Sequence, residues 1–300
     1  MKKDLLSISD LSKDEILSLI DRAIEIKSQH RNANRSLEGF TLGLIFEKAS
    51  TRTRVSFEIA MFRLGGQTIF LNRSDTQMSR DENIHDTAKV LSRYIDALAI
   101  RTYSQKLLED MAKFADIPII NALSDLYHPC QVLSDMMTVT EKKGSLGDIK
   151  IAWIGDGNNV ANSWIKAAQV IGFDLVLACP GGYRPQPGIM EGSGSNIRVI
   201  DDPEEAVKGA AVINTDVWAS MGHEDEEDQR LADFRAYQVD TGLVKLAEPD
   251  VIVMHCLPAH RGEEITSEVL DGPNSVVFDQ AENKLHLHQA LLEKIILERN

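Results

Sequence analysis

The sequence predicts an α/β protein built of two doubly wound parallel-sheet domains joined by interdomain helices. Two observations carry this reading. Short, nearly continuous apolar runs alternate with stretches of helical periodicity along almost the whole chain, the pattern of parallel strands covered on both faces. The alternation also comes as two series, separated by one longer helical stretch at about 130–142. At 300 residues the chain is long enough for two domains of ordinary size.

The first element is a helix. Ser12 and Glu15 have the spacing of a capping box, and Ile16, Leu19, Ile20, Ala23 and Ile24 recur on one face. A polar loop follows at 31–38. Strands are expected at 42–46, 68–71, 97–100 and 118–121, with helices at 55–64, 84–94 and 105–114. Beyond the 130–142 helix, strands are expected at 150–154, 174–178, 197–200, 211–214, 251–254 and 276–278, with a helix at 161–171. A terminal helix begins near residue 281, and by sequence alone it suits either series.

Composition narrows the function. Asp and Glu outnumber Lys and Arg by 46 to 32, a net charge of −14, which argues against a bulk nucleic-acid surface. An anionic small substrate would need its own local cluster of Arg, His and backbone N–H groups. No run of 18 apolar residues offers a membrane span, and Met1-Lys2-Lys3-Asp4-Leu5-Leu6 turns polar too soon for a secretory leader. Three cysteines, Cys130, Cys179 and Cys256, make neither a disulfide framework nor a zinc site, so a reducing cytoplasm is expected. The charge run His223 to Asp228 reads as a solvated loop.

In open parallel sheets ligands bind beyond the carboxyl ends of strands, and five strings stand there. Glu47-Lys48-Ala49-Ser50-Thr51-Arg52-Thr53-Arg54 runs into a helix; hydroxyls, arginines and helix N–H groups converge as a phosphate site requires. In Tyr127-His128-Pro129-Cys130-Gln131, His128 and Gln131 share one side of a first helical turn and suit a carbonyl oxygen. Gly155-Asp156-Gly157-Asn158-Asn159 lacks the G-x-G-x-x-G fingerprint and a ribose acid, so polar recognition fits it better than a dinucleotide. Asp216 opens Asp216-Val217-Trp218-Ala219-Ser220-Met221-Gly222 with a carboxylate suited to an ammonium group. His255-Cys256-Leu257-Pro258 sets a cysteine beside a histidine, where it could be tuned toward thiolate.

Together these strings resemble the aspartate/ornithine transcarbamoylase family. Ser50-Thr51-Arg52-Thr53-Arg54 and His128-Pro129-Cys130-Gln131 are specific to it, and Ser220-Met221-Gly222 with His255-Cys256-Leu257-Pro258 points to its ornithine branch. The resemblance implies a carbamoyl-phosphate domain at 1–130, an ornithine domain at 131–280, and a terminal helix at 281–300 returning to the first. It implies that Ser50, Thr51, Arg52 and Thr53 hold the phosphate, with Arg101, His128 and Gln131 completing that pocket. Gln77 resembles the residue lent by a neighbouring subunit of a homotrimer. Asn159, Asp216, Ser220 and Met221 match the ornithine positions, and Cys256 and Leu257 lie between the substrates. The family usually has arginine where this chain has Lys284; the charge is kept but the bidentate fork is lost.

The implied reaction is transfer of the carbamoyl group of carbamoyl phosphate to the δ-amino group of ornithine. It needs no cofactor and no metal, because the donor is already activated. Arg52, Arg101, His128, Asp216 and Cys256 are the expected catalytic groups. Aspartate, putrescine or an N-acylated ornithine are the alternative acceptors. The chemistry is common to arginine biosynthesis and citrulline breakdown. A nucleotide-dependent oxidoreductase built on the second domain is the reading from another class, and the missing glycine fingerprint speaks against it.

Overall fold

A computed structural model describes residues 4–29, 35–72, 82–219 and 227–298. The chain forms two compact units, Met1–Met137 with Glu282–Asn300, and Thr138–Ala281. Each is an α/β unit built on a wholly parallel sheet, as the sequence pattern predicts. No helix among the described residues is long and apolar enough to cross a membrane.

In the first unit α1 (Lys13–Ser28) starts behind its capping box. The Ser12 hydroxyl accepts from the Glu15 N–H, and the Glu15 carboxylate accepts from the Ser12 N–H. There follow β1 (Thr41–Phe46), α2 (Thr51–Arg63), β2 (Gln67–Asn72), α3 (Ile84–Leu91), β3 (Ala97–Arg101), α4 (Gln105–Phe114), β4 (Ile119–Leu123) and α5 (Pro129–Lys143), whose last residues belong to the second unit. The strand order is β2-β1-β3-β4. The central strands β1 and β3 are buried at every position, which is why they read as unbroken apolar runs. The edge strand β2 is only partly covered. Ile45, Leu98, Ile100, Leu108, Met111 and Ile119 belong to one core cluster. Ile95 and Leu98 close so tightly over β1 that a Cβ at Gly43 would lie 2.5 Å from the Ile95 Cδ1.

The second unit runs β5 (Lys150–Ile154), α6 (Asn159–Ile171), β6 (Asp174–Ala178), α7 (Pro187–Met190), β7 (Ile197–Ile200), α8 (Pro203–Val207), β8 (Val212–Thr215), α9 (Glu227–Phe234), α10 (Thr241–Val244), β9 (Ile252–His255) and α11 (Ser267–Leu270). Its order is β7-β6-β5-β8-β9. The last helix, α12 (Val277–Leu297), begins in this unit and ends in the first.

One expected strand is absent. The apolar run at 276–278 opens α12 instead. Ser275 makes a single bridge to Val253, and the Val276 N–H donates to the Val253 carbonyl before the chain turns into the helix. A three-residue apolar run cannot distinguish a strand from the buried start of a helix. Helix α2 also begins earlier than residue 55, because Ser50 caps it.

Both sheets have a topological switch point. The chain leaves β1 toward β2 but β3 toward β4; it leaves β5 toward β6 but β8 toward β9. Where continuations diverge, the carboxyl ends of adjacent strands stay open, and that crevice is where such sheets bind ligands. At the second crevice Gly157 meets the turn that follows β6: its N–H donates to the Tyr183 carbonyl at 2.8 Å, and a Cβ there would strike the backbone of Arg184 and Pro185. The glycine is required by this crossing chain rather than by a pyrophosphate. Gly157→Ala should lower the unfolding free energy by about 1–3 kcal/mol through overpacking, read as a shifted urea midpoint. An unchanged midpoint would show that the 184–185 backbone yields freely.

Candidate active site

At the first switch point the chain leaves β1 at Phe46 and enters α2 through Glu47-Lys48-Ala49-Ser50. The loop is tied to the exit of β3. The Glu47 N–H donates to the Arg101 carbonyl at 2.8 Å, and the Thr102 hydroxyl donates to the Glu47 carboxylate at 2.5 Å. Buried Lys48 reaches Asp125 Oδ1 at 2.6 Å and lies 3.9 Å above the Tyr103 ring. The Ser50 hydroxyl caps α2 by accepting from the Thr53 N–H. The other first-turn N–H groups, which a helix leaves without intrahelical acceptors, therefore open at this loop with their positive end of the helix dipole.

The two arginines of the string divide. Arg54 pairs with Glu58 at 2.9 Å and lies 3.7 Å above the Phe70 ring. Arg52 is exposed and makes no hydrogen bond or ion pair with any described residue. Behind the loop, Lys284 of α12 is buried and donates to Thr53 Oγ1 at 3.2 Å and to Gln131 Oε1 at 2.9 Å. Gln131 in turn donates to Asp135 Oδ1 at 2.8 Å. Arg101 at the end of β3 and His128 just before α5 are both buried. Burial first, then the charges of Lys284 and Arg101 and the nearby His288, hold the His128 imidazole well below the usual histidine range. It is neutral, with one N–H to donate.

At the second switch point Asp216 stands just past β8. Its Oδ1 accepts from its neighbour's N–H at Val217 and from the Cys256 thiol, both at 2.9 Å. Its Oδ2 accepts from Asn158 Nδ2 at 2.9 Å. Asn158 is the N-cap of α6, its Oδ1 accepting from the Val160 and Ala161 N–H groups. One asparagine thus joins the end of β5 to the end of β8 across the crevice. Asn159 is the first helical residue beside it. Arg230 donates to Asp156 Oδ2 at 2.9 Å and to the Trp218 carbonyl at 2.7 Å, which fixes the turn after Asp216.

The Cys256 thiol meets the Asp216 carboxylate. The His255 Nε2–H donates to Glu264 Oε1 at 2.8 Å, and Nδ1 accepts from the Leu257 N–H at 2.9 Å; His255 and Glu264 are wholly buried. Both ring nitrogens are therefore committed to shaping the turn, in which Leu257 takes the left-handed φ of 57°, a costly conformation for leucine. Burial pushes the Cys130 thiol up to about 12 and raises that of buried Cys179 too, whereas Cys256 sits against a carboxylate.

The first unit therefore gathers Ser50, Thr51, Arg52, Thr53, Arg101, His128, Gln131 and Lys284. The second gathers Asn159, Asp216, Cys256 and Leu257. Gln77, Ser220 and Met221 lie outside the described residues, as does most of the acidic run from His223. Sequence reasoning placed Asn158 in a polar-recognition string without its capping role, although an asparagine before a helix start is a strong capping signal. It also missed Glu264, for which no local pattern existed.

Residues 3–141 match the carbamoyl-phosphate-binding domain model of aspartate/ornithine carbamoyltransferases, and residues 147–295 match the Asp/Orn-binding domain model. The chain is 54% identical to an ornithine carbamoyltransferase of Desulfotalea psychrophila, over 99% of this chain and 100% of that one. Among solved structures, the ornithine carbamoyltransferase of Pyrococcus furiosus is 50% identical with a TM-score of 0.92, covering 96% of this chain and 95% of that one. The anabolic enzyme of Campylobacter jejuni is 40% identical with a TM-score of 0.93, covering 99% and 100%.

The buried histidines set a pH dependence. His128 and His288 are both held well below the usual histidine range, burial being the main cause. The unfolded chain takes up a proton at each near pH 6.5 while the folded chain does not. Their contribution to stability is present above that pH and is lost as the pH falls. The unfolding free energy should drop between pH 7 and 5.5, by up to ~1.4 kcal/mol per pH unit for each histidine. Urea titrations of the wild type and His128→Asn should give a shallower slope for the variant; equal slopes would contradict the assignment.

Proposed function

The chain belongs to the aspartate/ornithine carbamoyltransferase family, and from that premise we infer that it transfers the carbamoyl group of carbamoyl phosphate to the δ-amino group of L-ornithine, giving L-citrulline and phosphate. The observation that carries this reading is the opposite character of the two switch points. One offers cations and helix N–H groups to a phosphate; the other offers the Asp216 carboxylate to an amine.

In the first unit, Ser50, Thr51, Arg52, Thr53 and the start of α2 hold the phosphate. Exposed Arg52 is its principal cation, since Arg54 is already engaged with Glu58 and Phe70. Neutral His128 and Arg101 donate to the carbonyl oxygen as it becomes an oxyanion. Gln131 and Lys284 complete the pocket, with Lys284 acting through Thr53 and Gln131 as well as by its charge. Lysine serves here where the family usually has arginine, because its ammonium reaches two neutral acceptors on different helices.

In the second unit Asn159, Asp216, Ser220 and Met221 hold ornithine, with Cys256 and Leu257 beside them. A free amine of this type has a pKa near ~10, so ornithine arrives as an ammonium ion, which the Asp216 carboxylate attracts. The ammonium loses its first proton to solvent, and the neutral amine attacks the carbonyl carbon. The nitrogen then becomes acidic and gives its proton to Asp216, the carbon–oxygen bond to phosphate breaks, and phosphate leaves. Cys256 orients Asp216 through its thiol proton and forms no covalent intermediate. No cofactor enters this scheme.

The working form in this reading is a homotrimer. Val55, Ile59 and Phe62 recur on one face of α2 at 49%, 38% and 76% exposure, beside Ile69 of β2 at 45%. An apolar stripe of this kind marks an interface. It borders a cavity of about 520 Å³ lined by Glu47, Ser50, Thr51, Arg54 and Val55, where a neighbour's Gln77 would complete the phosphate loop. Three free cysteines support a cytoplasmic location, and we place the reaction in arginine biosynthesis, the direction in which the Campylobacter jejuni relative works.

The test is citrulline formation from carbamoyl phosphate, with aspartate, putrescine and N-acetylornithine as parallel acceptors. Turnover is expected with ornithine alone. Preferential turnover of another amine would keep the donor half and overturn the reading of Asp216.

A further inference from the structure

Lys284 and His288 stand one turn apart on α12, and both face the start of α2. Lys284 donates to Thr53 Oγ1. His288 is wholly buried, with Nδ1 3.0 Å from Ser56 Oγ and its ring stacked on Phe57 at 3.7 Å between centroids. Nothing in the phosphate chemistry above uses it.

The hydrogen-bond directions can be assigned. The Ser56 hydroxyl donates its one proton to the Thr53 carbonyl at 3.0 Å. With that proton on the Thr53 carbonyl, the hydroxyl accepts from His288, whose Nδ1 then carries the ring proton. Nε2 is then a bare acceptor, buried and without a hydrogen bond among the described residues. The result is one line of contacts: His288 Nδ1–H to Ser56, Ser56 O–H to the Thr53 carbonyl, and the Thr53 N–H to the Ser50 cap. A serine that bonds back to a carbonyl one turn earlier tends to bend its helix, and a buried hydroxyl oxygen needs a donor of its own. His288 supplies that donor and clamps Phe57 from the same side.

We propose that His288 is a positioning residue for the donor site: through Ser56 and Phe57 it fixes the first turns of α2, whose hydroxyls and N–H groups hold the phosphate. This rests on the reading that the start of α2 binds the phosphate of carbamoyl phosphate. His288 touches no substrate; it sets the angle at which Thr53, Ser50 and the free N–H groups are presented.

Three variants separate positioning from packing. His288→Phe keeps the stacked ring and removes the donor. His288→Asn keeps a donor near the Nδ1 position and removes the ring. Ser56→Ala removes the acceptor from the other side. Inorganic phosphate binding by calorimetry, KM for each substrate and urea midpoints are measured for all three and the wild type. His288→Phe and Ser56→Ala should each weaken phosphate binding and raise the carbamoyl-phosphate KM about tenfold, the factor one lost hydrogen bond carries. The KM for ornithine should stay close to wild type, His288→Asn should recover most of the loss, and the His288→Phe, Ser56→Ala double variant should be no worse than either single one. If His288→Phe does not fold, Ser56→Ala alone must show the same split between substrates. Wild-type phosphate affinity in folded His288→Phe or Ser56→Ala, or equal losses for both substrates, would overturn the proposal. A wild type that binds no phosphate and makes no citrulline would overturn the donor-site reading and this proposal with it.

Discussion

Two neighbouring parallel strands whose continuations leave in opposite directions cannot cover each other's carboxyl ends, and both candidate half-sites depend on that constraint. In the first unit the uncovered ends are those of β1 and β3; in the second, β5 and β8. Each opening is kept in register by bonds that cross it. The Glu47 N–H meets the Arg101 carbonyl in one, and Asn158 meets Asp216 while Thr215 Oγ1 meets the Ile154 carbonyl in the other. The same backbone device is then loaded with opposite chemistry, hydroxyls and cations at one opening and a carboxylate at the other.

The cationic opening gathers Lys48, Arg52, Arg101 and Lys284 in one unit. A buried ammonium is costly unless it is well solvated by protein groups. Lys284 of α12 is supported by hydrogen bonds to the neutral oxygens of Thr53 and Gln131, while Lys48, in the loop after β1, is tied to Asp125. The local potential can be read from the histidines, since the charge of Lys284 adds to burial in keeping both His128 and His288 unprotonated. Preorganised positive charge of the kind Lys284 supplies is what stabilises a leaving phosphate. A two-acceptor, point-charge role suits lysine, which explains how this position tolerates a residue without the guanidinium fork.

Much of this was legible in the sequence because it is local. Unbroken apolar runs mark the buried central strands, and Ser12 with Glu15 and Ser50 before Thr51 mark helix starts by their side-chain chemistry. What stayed hidden depends on contacts between distant residues. Arg52 and Arg54 look equivalent in a string; only Glu58 and Phe70 divide them. Asn158 and Asn159 are adjacent asparagines, and the helix boundary between them decides which caps and which is helical. Glu264 lies nine residues from His255, and no pattern announces that it takes both the imidazole proton and the His260 N–H. The histidine beside Cys256 suggested an activated thiol, yet that imidazole turns away to its buried glutamate. The run at 276–278 misled for the opposite reason, because three apolar residues are too few to carry a period.

The account stands on the separation of charge between the two switch points, and calorimetric titration of inorganic phosphate into two variants tests it most directly. Arg52→Ala removes the exposed cation of the first unit, and Asp216→Asn removes the carboxylate of the second. Arg52→Ala should weaken phosphate binding by at least about tenfold, the range for a lost charge-assisted contact, while Asp216→Asn should bind phosphate as the wild type does and fail to use ornithine. Wild-type phosphate affinity in Arg52→Ala, or an equal loss in both variants, would contradict it.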